Sequence, residues 1–218
     1  MEGQTMGSRE EILAKLRAAP KPFTDLPKRD TYLHMVPIED KSPAALRKRF
    51  VEEAKKLACE VSEPASHADA IQQILALVGE NKSVIAWDFV NIPLPGLADA
   101  ITAAGIQIAD VRDGSVRVGI TGADAALAST GSLVVGSGAG KSRQASLLPA
   151  LHIAVITPDQ IVADLETWFD AQLAKGLQHF RSAAAHVIIS GPSRTADIAM
   201  ELVMGVHGPT RVHVVILP

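Results

Sequence analysis

Beyond Gly79 the chain alternates short β-branched runs with alanine-rich amphipathic segments, and this alternation constrains the fold more than any other feature. SVIAWDF is followed by LPGLADAITAAG, then by IQIADV and VRVGIT, and later by SLVVG, LHIAVIT, HVIIS and RVHVVIL. Strand-length apolar runs separated by helical patterns predict an α/β fold, a mixed, largely parallel sheet flanked by helices. Asp113-Gly114 lies between IQIADV and VRVGIT and carries a hairpin signal, because glycine tolerates the positive φ of a primed turn. At least one antiparallel strand pair is therefore expected.

The helices announce themselves by their ends. Ser42 as N-cap and Pro43 at the first helical position precede Leu46, Phe50, Ala54, Leu57 and Ala58 on one face. Arg47, Lys48 and Arg49 beside that stripe read as a solvated surface. Ser66, with Asp69 three residues later, opens a second helix carrying Ile71, Ile74, Leu75 and Val78, and Gly79 closes it. Thr157, Pro158 and Gln160 fit a capping box and predict a helix over 158–175, with Ile161, Leu165 and Trp168 on one face. A last helix is expected over 194–204, capped by Ser193, with Ile198, Leu202 and Val203 facing the core. Pro20, Pro22 and Pro27 each remove a backbone donor, so residues 1–40 read as a partly helical arm and 41–218 as the main domain.

Composition excludes several classes of function. Against 21 Lys+Arg stand 24 Asp+Glu, a formal charge of -3, so no bulk basic field exists to hold a nucleic-acid backbone. The one cysteine, Cys59, cannot form an internal disulfide or supply a four-thiolate cluster, which fits a reducing cytoplasm. No leader-like stretch opens the chain, and no apolar run approaches the roughly 20 residues of a membrane span. No spacing of His, Cys, Asp or Glu resembles a metal-site motif, so no metal or cofactor is expected in this chain. There is also no G-x-S-x-G elbow to present a nucleophile.

Two stretches could carry chemistry. GSGAGKS (Gly136 to Ser142) follows a strand, but a Walker loop needs glycine where this chain has Val135, so nucleotide binding is not expected. The glycine loop beside Lys141 and Arg143 can still receive an anion, or it is a surface loop with incidental charges. The second stretch, His186 to Pro209, is expected to run from a strand into a turn and a helix N-terminus, where Ser193, Arg194 and Thr195 would be donors to a carboxylate or phosphate. Asp197 and Glu201, four residues apart, would be a carboxylate pair or simply a polar helix face. His207 in its Gly-Val-His-Gly-Pro turn would touch ligand or serve the turn, whereas His152 and His213 alternate with apolar residues and read as structural.

Taken together, GITGADAALASTGSLVV, SRQASLLPALHIAVI and ISGPSRTADIAMELVMGVHGP resemble the LUD domain of the lactate utilization protein C (LutC/YkgG) family. The resemblance implies a fold of the NagB/RpiA/CoA-transferase type and a place in a cytoplasmic system that oxidises L-lactate to pyruvate. It implies iron-sulfur clusters in partner proteins rather than here, and a non-redox role for this chain. Carried across residue by residue, it marks Thr130, Gly131, Ser132, Arg143, Ser190, Gly191, Ser193, Arg194, Thr195, Asp197, His207 and Gly208 as the rim of a shared ligand cleft. Ser129 stands where the family often has an acidic residue, so no carboxylate role is carried to that position. The alternative is a free-standing enzyme or binding module for a phosphorylated or CoA-linked small acid.

Overall fold

The computed structural model describes residues 7–19, 36–196 and 202–218. The chain divides into two compact units, Met1–Met35 and Val36–Pro218. Within the first, helix α1 (Ser8–Ala18) has Glu10 and Glu11 in its first turn and Lys15 and Arg17 in its last, charges that complement the helix dipole.

The second unit opens with α2 (Pro43–Lys56), where the Ser42 hydroxyl accepts the Ala45 N–H at 3.4 Å and Leu46, Phe50 and Ala54 are buried. Strand β1 (Glu60–Ser62) leads to α3 (His67–Val78), which Ser66 caps through the Asp69 N–H at 3.1 Å and Gly79 ends with φ 60°. Both helices form where their caps predict. Strand β2 (Ser83–Ala86), α4 (Leu97–Ala103), β3 (Gln107–Ile108) and β4 (Val118–Thr121) follow. Next come β5 (Ala125–Leu127), β6 (Ser132–Ser137), α5 (Gln144–Leu147) and β7 (Leu151–Ile156). The remaining elements are β8 (Ile161–Val162), α6 (Leu165–Ala174), α7 (Gln178–Ser182), β9 (Ala185–Ile189), β10 (Arg194–Ala196), β11 (Leu202–Met204) and β12 (Arg211–Ile216).

Six strands form one sheet in the order β1-β12-β7-β4-β2-β3, and every pairing in it is parallel. Its central strands β4 and β7 are buried along their whole length, because helices covering a parallel sheet remove both faces from water. A second sheet, β8-β5-β6-β9, is mixed: β5 runs parallel to β8, and β6 is antiparallel to both β5 and β9. A small core of Ala125, Leu127, Val134 and Trp168 sits on this second sheet. The α/β class and the largely parallel central sheet are those read from the sequence.

Three local expectations are corrected. Asp113-Gly114 makes no hairpin, because β3 and β4 flank β2 on opposite sides, both parallel to it. The Asp113 carboxylate instead closes a local turn on the Ser115 N–H at 2.9 Å, and the antiparallel pairs lie in the second sheet. The helix expected over 158–175 begins late. Pro158–Gln160 is one 3-10 turn, β-branched Ile161 and Val162 pair with β5, and the helix starts only where Asp164 accepts the Thr167 N–H at 2.8 Å. Where a helix over 194–204 is expected, residues 194–196 and 202–204 instead form an antiparallel pair in which Thr195 faces Val203. There the backbone of Ser193 is tied in two directions, its N–H to Pro209 O and its carbonyl to Gly205 N–H, and so it cannot begin a helix. Val203 is exposed rather than in the core, and Ile198 lies outside the described residues.

Candidate functional site

Strands β2 and β4 are neighbours, yet the chain leaves them toward opposite sides of the sheet, to β3 from one and to β7 from the other. The carboxyl ends of such a pair leave a crevice, the usual ligand position in open α/β sheets. A cavity of about 360 Å³ lies there, lined by Asn91 and Pro93 beyond β2, Ala123 and Asp124 beyond β4, and Gln160 beyond β7. Lys141, Gln172, Lys175 and His179 also line it.

Asp124 is the centre of this site. Its side chain is only 7% exposed, and its Oδ1 accepts from Lys141 Nζ at 2.9 Å, with His179 Nε2 at 3.5 Å. Its Oδ2 lies 3.8 Å from His186 Nε2, and neither of these two buried atoms has a hydrogen-bond partner. The carboxylate fits because residue 136 is glycine: a Cβ there would clash with Asp124 Oδ2. Lys141 is held a second time, its ammonium lying 5.1 Å from the centre of the Trp87 ring. His186 is clamped between Phe180, stacked at 4.6 Å, and the edge of Trp168 at 5.5 Å. Burial lowers the pKa of His186 below the ordinary imidazole value, against the pull of Asp124 and with help from His179 and Lys141. A second chamber of about 220 Å³, walled by Gly136, Ser137, Gly138 and Ala139, shares Asp124, Lys141 and His179 with the first. The glycine loop beside Lys141 therefore faces a space that an anion can enter.

The residues marked by resemblance fall into several groups. Thr130 Oγ1 donates to Ser132 Oγ at 3.0 Å, and Ser132 shares a 2.8 Å hydrogen bond with Ser190, a run of three hydroxyls joining β6 to the end of β9. Ser190, Gly191, Ser193, His207 and Gly208 line a separate cavity of about 180 Å³ with Ser146 and Leu147. Gly131 has φ 69° and lies against the backbone of Glu53 and Ala54, so its residue type follows from packing on α2. Arg194 donates to Leu57 O at 2.7 Å, Thr195 lies in β10, and Arg143 is exposed beside α5, outside the lining of these three cavities. Asp197, like Glu201, lies outside the described residues. The sequence reading named Lys141 but missed Asp124, His179 and His186. The available signal was an acidic residue directly after the apolar strand VGIT and before the small apolar run AALA, a place where a carboxylate is costly unless paired.

Among the described residues no group of three or more His, Cys, Asp and Glu side chains is arranged to hold a metal ion. Nor is any helix long and apolar enough to cross a membrane. Cys59 is buried, and burial pushes its thiol up to about 11, only partly offset by Arg194.

Fold and site together define an α/β protein with a charged cleft over the carboxyl ends of a parallel sheet. The chain belongs to the LUD domain family, whose model matches residues 47–217. It is 36% identical over 154 residues to Lactate utilization protein C of Shouchella clausii, covering 65% of each chain. It is 34% identical over 160 residues to the protein of the same name from Halalkalibacterium halodurans, covering 66% of this chain and 67% of that one. The uncharacterized protein YkgG of Escherichia coli is 28% identical over 177 residues, covering 75% and 74%. The matches thus span about two thirds of these first relatives' lengths. A crystal structure of a DUF162 family protein from Deinococcus radiodurans shares the fold, with TM-score 0.58 and 20% identity, over 82% of this chain and all of that one.

Proposed function

We propose that this chain is a component of a lactate utilization system, a subunit without a redox centre of its own. Partner proteins carrying iron-sulfur clusters would take the electrons as L-lactate is oxidised to pyruvate in the cytoplasm. The observation that carries the reading is the LUD match over 47–217 together with relatives at 34–36% identity named Lactate utilization protein C. The division of labour is supported by the thiol inventory, since a single buried Cys59 held in its protonated form supplies neither the number nor the state of ligands that a cluster needs. The hydroxyl-lined cavity at Ser190, Ser193 and His207 is proposed as one place where an organic anion approaches.

The test is an anaerobic affinity purification of the tagged chain from its host grown on L-lactate, followed by assays for iron and for lactate-dependent dye reduction. Iron-bearing partners should co-elute with an activity that the purified chain lacks. A single band without iron or activity that persists after gentle crosslinking would overturn the subunit role.

A further inference from the structure

We infer that the cleft over Asp124 is a receptor for a small monocarboxylate, with Lys141 Nζ taking the carboxylate and His179 Nε2 the oxygen on the neighbouring carbon. The carboxylate part rests on the lining of the cleft and its charges. The choice of a 2-hydroxy or 2-oxo acid rests on the lactate utilization reading.

The charge balance of the larger cavity sets the sign of the ligand. Lys141 and Lys175 share the wall with one carboxylate, Asp124, so these three groups leave it one positive charge in excess. A singly charged anion neutralises it. Lys141 is prepared for that role, because Asp124 and the Trp87 face fix its ammonium while leaving its side chain 20% exposed. A cation already held in place loses little further freedom when a ligand arrives. Asp124 lines the cavity, but its side chain is only 7% exposed and its Oδ1 accepts from Lys141, so it acts as a positioning residue, with His186 and its aromatic clamp behind it. His179 differs: its side chain is 54% exposed, and its Nε2 lies 3.5 Å from the carboxylate oxygen that Lys141 holds, near the cavity's cation without a hydrogen bond to Asp124. An acid bound to Lys141 would therefore bring its 2-hydroxyl or 2-keto oxygen toward an imidazole able to donate or accept. The position of the cleft, over the reversal in strand order between β2 and β4, points the same way on independent topological grounds.

The experiment is calorimetric titration of the purified full chain with L-lactate, with pyruvate and with uncharged 1,2-propanediol. Both acids should bind saturably, and the diol about tenfold more weakly or less, as expected when one charge-assisted hydrogen bond is lost. Lys141→Met should weaken both acids by a similar factor. Because that variant strips Asp124 of its main partner, His179→Gln and Lys175→Gln, at exposed positions, provide the second reading: each should weaken acid binding with an unchanged thermal melt. Unchanged acid binding in Lys141→Met and His179→Gln, or loss of binding in Ser193→Ala instead, would move the anion to the other cavity and overturn the inference. So would the absence of saturable binding of either acid. If iron-bearing partners co-purify but neither acid binds, the cleft assignment fails and the subunit role stands; binding without partners gives the reverse.

Discussion

Removing the buried pair Thr121 and His152 should change how the protein responds to acid. His152 lies on β7 with no exposed surface, and its Nε2 shares a 2.8 Å hydrogen bond with Thr121 Oγ1 while Nδ1 has no partner. Burial drives its pKa down from 6.5 to about 4. The folded protein thus binds this proton less readily than the unfolded chain does. Stability from the neutral ring is complete above pH 6.5, falls as the pH drops toward 4, and loses nothing more below that. At about 1.4 kcal/mol per pH unit, the whole titration is worth about 3 kcal/mol, and about 2 kcal/mol is already lost at pH 5. The double variant Thr121→Val with His152→Leu removes both partners and so leaves no hydroxyl orphaned. Urea unfolding at pH 8 and pH 5 should show wild type losing about 2 kcal/mol more than the variant. Equal losses would refute the argument that this imidazole is held neutral.

Three further outcomes follow from other contacts. Gly131→Ala must adopt φ 69° and push into the backbone of Glu53 and Ala54, so a loss of about 3 kcal/mol or more is expected, and a melting temperature within a degree or two of wild type would count against that packing. Glu60 holds Arg211 through bonds of 2.7 and 2.8 Å and touches His213 at 3.1 Å, which with Arg211 foremost keeps its carboxyl at about 2. Because both Glu60 and Arg211 are around half exposed, Glu60→Gln should cost under about 1 kcal/mol near pH 7, and the difference from wild type should vanish as the pH falls from 4.5 toward 2 in acid titrations. Asp164→Ala should cost about 1 kcal/mol if α6 begins at Leu165, and no measurable change in the urea midpoint would favour a helix starting at Pro158.

The sheet and the first two helices of the main unit were legible because their signals are local: a cap, a proline, a period of 3.6, a β-branched run. The misreadings share one cause, a local signal satisfied by a different partner. Thr157 and Gln160 do pair, with the Thr157 N–H donating to Gln160 Oε1 at 2.8 Å, but one turn later Ile161 and Val162 are claimed by β5. Ser193 has the chemistry of a cap, yet contacts with Pro209 and Gly205, more than ten residues away, use its backbone first. No window of sequence contains those competitors. The same limit hid the cleft, since Asp124, Lys141, His179 and His186 come from four segments that meet only when β6 pairs with both β5 and β9.

His152 and Asp124 show how a buried titratable group can be assigned to fold or to function. Each has one side-chain atom that is buried and lacks a hydrogen-bond partner, a cost that a stable core normally avoids. His152 meets that cost by staying neutral between packed strands, and it lines none of these three cavities, so its burial is an affair of packing. Asp124 instead gathers a lysine and two histidines and lines two cavities at once. An apolar pair of similar volume would hold β5 and the glycine loop together without desolvating four polar groups. What such a pair cannot do is fix a cation at the mouth of a cleft, and that is the property on which the binding titration turns.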